Sequence, residues 1–122
     1  MKHRSKLDRL GRPTDQRMAL LNNLARELIR HGQIVTTEAR AKALAPYVES
    51  MIQRAISGQM KDFRVINDNL NSRRLVFHLS HEIVPKLTRK TGGGYTTIVK
   101  MPPRRGDAAP LSMIRINYER AE

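Results

Sequence analysis

Cysteine is absent from the 122 residues, which excludes a disulfide scaffold, Cys-ligated zinc and thiol catalysis. Tryptophan is absent as well, and aromatic residues make up only 4% of the chain, so any core must be aliphatic and thin. Hydrophobic residues reach 39%, and no apolar run approaches the ~20 residues that a bilayer-spanning helix needs. The opening Met1-Lys2-His3-Arg4-Ser5-Lys6 is charged and leads into no apolar stretch, which argues against a secretory signal. Acids are the scarcest class relative to their opposites: 23 Lys and Arg face 11 Asp and Glu, a formal net charge of +12. Solubility does not need so large an excess of one sign. It is the electrostatic footprint of a partner rich in negative charge. The length predicts one domain.

The bases are clustered. Residues 1–12 carry Lys2, Arg4, Lys6, Arg9 and Arg12 against a single acid, Asp8, with almost nothing to bury. They are expected to form a basic arm that orders on an anionic partner. Segment 86–105 holds Lys86, Arg89, Lys90, Lys100, Arg104 and Arg105 and no acid. A third patch, Arg17, Arg26 and Arg30, lies on the polar side of a predicted helix over residues 14–31. In that helix Met18, Leu21, Ala25, Leu28 and Ile29 recur at helical spacing, and Gly32 stops it.

Gln33-Ile34-Val35-Thr36 predicts a short strand, and Thr37 the cap of a second helix with Leu44, Val48, Met51 and Ile52 on its apolar stripe and Gly58 at its end. Pro46 removes one hydrogen bond from that helix, so a kink or short break is expected near residues 42–46. A short helix over residues 61–71 turns Phe63, Ile66 and Leu70 inward. A further one over 73–84, capped by Asn71 or Ser72, ends at Pro85. After the break at Gly92-Gly93-Gly94, residues 95–101 and 111–118 predict an antiparallel pair joined by a long basic loop, with Ser112 and Ile116 on one face and Met113, Arg115 and Asn117 on the other.

Catalytic constellations are weak. His78 and His81 share a helix face with Glu82 adjacent, but no third metal ligand is apparent. Thr91-Gly92-Gly93-Gly94-Tyr95-Thr96 lacks the order of a phosphate-binding nucleotide loop, although glycines permit close approach of a sugar-phosphate backbone. Arg105-Gly106-Asp107 spells an adhesion tripeptide, and a tight turn carrying arginines is the better account. Three separated cationic patches fit phosphate-backbone binding. The strand between the first two helices argues against a helix-turn-helix, so shape-following contact with folded RNA is favoured over major-groove reading of DNA.

The chain opens with Met1-Lys2-His3-Arg4 and Leu10-Gly11-Arg12, followed by Arg17-Met18-Ala19-Leu20-Leu21-Asn22-Asn23-Leu24 and the stretch His31-Gly32-Gln33-Ile34-Val35-Thr36-Thr37-Glu38-Ala39-Arg40-Ala41-Lys42. Pro46-Tyr47-Val48-Glu49, Gly93-Gly94-Tyr95-Thr96 and Arg104-Arg105-Gly106-Asp107-Ala108-Ala109-Pro110 come after them. In these motifs and their order the chain resembles the bacterial-type large-subunit ribosomal protein seventeen family. Residues 59–74 depart from the pattern, and Thr97 stands where the family has Arg after Gly-Gly-Tyr-Thr. The resemblance implies a structural component of the large ribosomal subunit, bound to its RNA near the exit side of the peptide tunnel. It also implies neighbouring large-subunit proteins and no cofactor.

The expected fold is α+β: a two-layer single domain in which a small mixed sheet, one short strand plus a C-terminal antiparallel pair, packs against several helices. Its parts are the arm 1–12, a globular domain 13–118 and a short tail 119–122. The expected activity is binding, with no enzyme chemistry, no small-molecule substrate and no membrane, in the cytoplasmic ribosome or an organellar one. A basic DNA-binding or nucleoid-associated module is the alternative. Lys2, Arg4, Lys6, Arg9, Arg12, Arg17, Arg104 and Arg105 are the first candidates for phosphate contact, and His3, Thr36, Thr37, Arg40, Lys42 and Tyr95 the second. For Thr36 and Thr37 helix capping competes with RNA contact, and for Tyr95 a half-buried strand position competes with stacking on a base.

Overall fold

The computed structural model describes residues 14–119; the arm 1–12, with its candidates Lys2, His3, Arg4, Lys6, Arg9 and Arg12, lies outside them. Helix α1 spans Thr14–His31 and buries Leu21, Ala25, Leu28 and Ile29. Gly32 follows at φ 82°, where a side chain would be strained, and its N–H closes the last turn on the Leu28 carbonyl at 2.7 Å. Strand β1, Gln33–Thr37, leads directly into α2, Glu38–Ser57. The Thr37 hydroxyl accepts from the Arg40 N–H at 3.4 Å, and Gly58 ends the helix at φ 71°.

Helix α2 runs through Pro46 without the expected break. Lys42 and Pro46 are both exposed. The hydrogen bond that Pro46 removes therefore falls on the exposed side of the helix, where its loss costs least.

Helix α3, Met60–Leu70, ends in a left-handed Asn71 at φ 52°, and the Ser72 hydroxyl caps α4, Arg73–His78, through the Leu75 N–H at 3.3 Å. The single helix expected over 73–84 divides into α4, a π-helical turn Leu79–Ile83 and a 3-10 turn Val84–Lys86 that carries the chain through Pro85. Asp62 binds α3 to α2. It accepts from Ser57 Oγ at 2.6 Å and pairs with Arg54 Nη1 at 3.0 Å, which explains how a carboxylate only 7% exposed is tolerated.

Strands β2, Thr96–Met101, and β3, Leu111–Ile116, complete a three-stranded sheet in the order β1-β3-β2. Both pairings are antiparallel, so the sheet is not of the mixed kind expected. The last strand in the chain takes the centre, where Ser112, Ile114 and Ile116 alternate inward toward the helices. The core they join is aliphatic apart from Met51 and Tyr95. After β3 the chain pairs with the segment following the 3-10 turn: Thr88 N–H donates to the Asn117 carbonyl at 2.9 Å, and Glu119 N–H to that of Lys86 at 3.0 Å.

Helices cover one face of the sheet. Among the described residues no element covers the other, and on it Val35 and Val99 lie opposite Met113 from either side, 53% and 38% exposed respectively.

Candidate nucleic-acid interface

The loop between β2 and β3 has a defined shape. Arg104 donates to Asp107 twice, Nε to Oδ1 at 3.2 Å and Nη2 to Oδ2 at 2.7 Å, while the Ala109 N–H adds a bond to Oδ1 at 3.1 Å. Arg104 N–H meets the Ala109 carbonyl at 3.0 Å, and Gly106 supplies φ 95° inside the turn. The Arg104 guanidinium and the Ala109 N–H hold the Asp107 carboxyl down at about 2, and the same pairing raises Arg104. Arg104 is thus a clasp whose charge is met within the loop. Arg105, exposed beside it, makes no ion pair among the described residues.

The loop's end docks on the start of α2, where Glu38 N–H donates to the Pro110 carbonyl at 3.0 Å. Thr37, Lys42 and Pro110 line one shallow concavity there. Glu38 pairs with Lys42 Nζ at 3.1 Å. That bond and the charge of Lys42, with Lys100 further off, lower the Glu38 carboxyl. Arg40, half-buried, stands in the same first turn with its backbone N–H on the Thr37 cap.

On the open sheet face, Gln33, Arg115 and Thr97 stand in one row across the three strands. They line a cleft of about 550 Å³ together with Arg89, Asn117 and Tyr118. The glycine turn above it is fastened from the helix side: Glu49 accepts from the Gly94 N–H at 3.2 Å and from Thr96 Oγ1 at 2.7 Å. A carboxylate therefore occupies one of the N–H groups that a sugar-phosphate approaching the glycines would use. A second, largely apolar concavity of about 450 Å³ lies between α3 and α4 against Phe63, Val76 and Phe77, with Arg64 and Arg73 also lining it.

The structure brings some of the sequence candidates together and separates others. Thr37 and Lys42 share a concavity with Pro110 at the end of the loop that carries Arg104 and Arg105, and Arg40 stands in the same first turn of α2. Thr36 is half-buried on the inward row with Ser112 and Lys100. Arg17 is half-buried near the start of α1, with its Nε buried and unpartnered among the described residues. Tyr95 is 1% exposed and donates its hydroxyl to Gln53 Oε1 at 2.7 Å, so it is a core residue and no stacking platform. His78 engages Glu82, whereas the His81 ring stacks on Phe77 at 4.0 Å between centroids, so the two imidazoles are committed separately.

Arg115 and Arg89 are the residues that sequence reasoning left off the site. The alternation along 112–117 sets Arg115 on the face opposite Ser112 and Ile116, but which face is outer, and that Gln33 and Thr97 come beside it, follows only from the strand register.

These features define a class: a small, basic α+β scaffold that offers cations on a loop, a helix start and an uncovered sheet face. A sequence profile of the family described as Ribosomal protein L17 matches residues 20–117. A protein of Petrotoga mobilis named large ribosomal subunit protein bL17 is 41% identical over 124 aligned positions, covering 95% of this chain and 96% of its own. Proteins of the same name from Coprothermobacter proteolyticus and Kosmotoga olearia are each 39% identical, over 94% and 100% of this chain and 97% of their own lengths. The chain belongs to the ribosomal protein L17 family.

Proposed function

We propose that the chain is a structural constituent of the large ribosomal subunit that binds ribosomal RNA by neutralising phosphate charge and fitting its shape. The observation that carries this reading is similarity along nearly the whole chain to relatives named as large-subunit proteins. The charge distribution supplies the mechanism. The basic arm, with Lys2, His3, Arg4, Lys6, Arg9 and Arg12, contacts RNA phosphates, as do Arg17 on α1, Arg40 and Lys42 at the start of α2, and Arg105 on the loop. Each phosphate they neutralise releases counterions, which makes the association steeply salt-dependent. Thr36, Thr37 and Arg104 serve the site by shaping it. No step of bond chemistry is involved, and the protein works in the cytoplasmic ribosome. Its neighbours are ribosomal RNA and other large-subunit proteins, and its place is the exit side of the peptide tunnel.

The test is sedimentation of the tagged chain from a cell lysate through a high-salt gradient. Co-migration with assembled large subunits is the expected result. Retention on chromosomal DNA, with none on subunits, contradicts it. Chemical cross-linking within purified subunits then identifies the adjacent proteins, and cross-links confined to the face that joins the small subunit would overturn the tunnel-side placement.

A further inference from the structure

We propose that the cleft on the open sheet face takes a single unstacked nucleotide of the bound RNA, with its phosphate on Arg89 and Arg115. This rests on the reading that the chain binds RNA, and adds where one nucleotide enters and in what form.

The cleft's volume of about 550 Å³ lies within the ~300–1,000 Å³ of small-ligand sites. Among the described residues, two guanidinium groups and no carboxylate line it. Neither Arg89 nor Arg115 makes an ion pair among the described residues, so both charges are available to an anion. Arg115 sits on the central strand, where its backbone is held from both sides.

Arg89 is placed by the glycine turn. Its guanidinium lies against Gly92 and Gly94, and a Cβ on Gly94 would come within 3.2 Å of Arg89 Nη1. Glycine at that position, with φ 72°, therefore makes room for the charge.

The polar wall is fixed before any ligand arrives. Thr97 Oγ1 donates to Asn117 Oδ1 at 3.0 Å, and Asn117 Nδ2 donates to the Gly94 carbonyl at 3.3 Å. Thr97 Oγ1 and the Asn117 amide present polar groups to a base edge, and the Tyr118 ring lines the cleft beside them. Polar edges, an aromatic ring and planar guanidinium groups are the means by which proteins hold bases that have left the stack. A duplex presents a convex backbone that meets only the lip of such a concavity, whereas an extruded nucleotide can fill it.

Binding of the full chain to a short oligouridylate and to a fully paired RNA duplex, each across a salt series, tests this. The variants are Arg115→Gln and the pair Arg89→Gln with Arg115→Gln, with thermal unfolding to show that they fold. The pair is expected to reduce the salt slope on oligouridylate by about 1.4, at about 0.7 per contact, and to leave the duplex slope unchanged. Arg115→Gln changes an exposed strand position and alone reduces it by about 0.7, so it keeps the test decisive if the pair unfolds. An unchanged slope on oligouridylate, or an equal loss on both probes, overturns the cleft as a nucleotide site. If the unaltered chain binds neither probe in a salt-dependent way, the RNA-binding reading itself falls, a result distinct from failure of the cleft alone.

Discussion

Adjacent arginines on the β2–β3 loop have different work. Arg104 is held by a bidentate carboxylate within the turn, and Arg105 makes no ion pair among the described residues. Replacing Arg105 with Ala should flatten the salt dependence of RNA binding by about 0.7–0.9, whereas Arg104→Ala should act mainly by loosening the loop and flatten it less. Salt titrations of the two single variants check this, and equal changes in slope would refute the distinction. For Tyr95 the sequence leaves a half-buried strand position and a base-stacking platform both open, and burial and the bond to Gln53 make it part of the core. Tyr95→Phe should lower unfolding free energy in urea by about 0.5–1.5 kcal/mol, the net worth of a typical hydrogen bond, and leave RNA affinity unchanged. Sequence alone could not settle it, because an alternating strand start fits either face until the register is known.

Elements were more legible than individual contacts. The apolar spacing of α1 and the glycine after it predict that helix and its C-terminal end, since one amphipathic stripe and one left-handed stop decide it locally. Thr37 has a capping role in α2, so Thr37→Ala should cost about 1 kcal/mol of stability by urea unfolding and Thr37→Ser should restore it. What stayed hidden were features set by partners far along the chain. Nothing in the local pattern around Asp62 marks it as the residue that joins α3 to α2. The Ser57 hydroxyl foremost, and then the Arg54 guanidinium, hold its carboxyl below the ordinary 3.8. A carboxyl depressed in the folded state stabilises fully above the unfolded value and loses that contribution as pH falls through the folded one. Thermal unfolding across pH should therefore show Asp62→Asn melting below the unaltered chain near neutrality, with the gap closing as the pH drops below about 3.8. A gap that stays constant into acid would contradict the role of the charge.

At the scale of the whole molecule, the helices and the β2–β3 pair follow from local pattern, while the arrangement of the sheet does not. Local pairing predicts that β2 and β3 meet, but β3 takes the centre only because β1, many residues earlier, closes on its other edge. That closure leaves an uncovered face with cations near it and an aliphatic core behind it. Residues 2–12 carry Lys2, Arg4, Lys6, Arg9 and Arg12, so deleting them should weaken RNA association and reduce its salt slope. The central claim is that charge neutralisation on a fixed scaffold holds the RNA. Its most direct measurement is the affinity of the full chain for large-subunit ribosomal RNA across a salt series. A straight, steeply negative plot of log affinity against log salt is the predicted result, and affinity indifferent to salt would contradict the account.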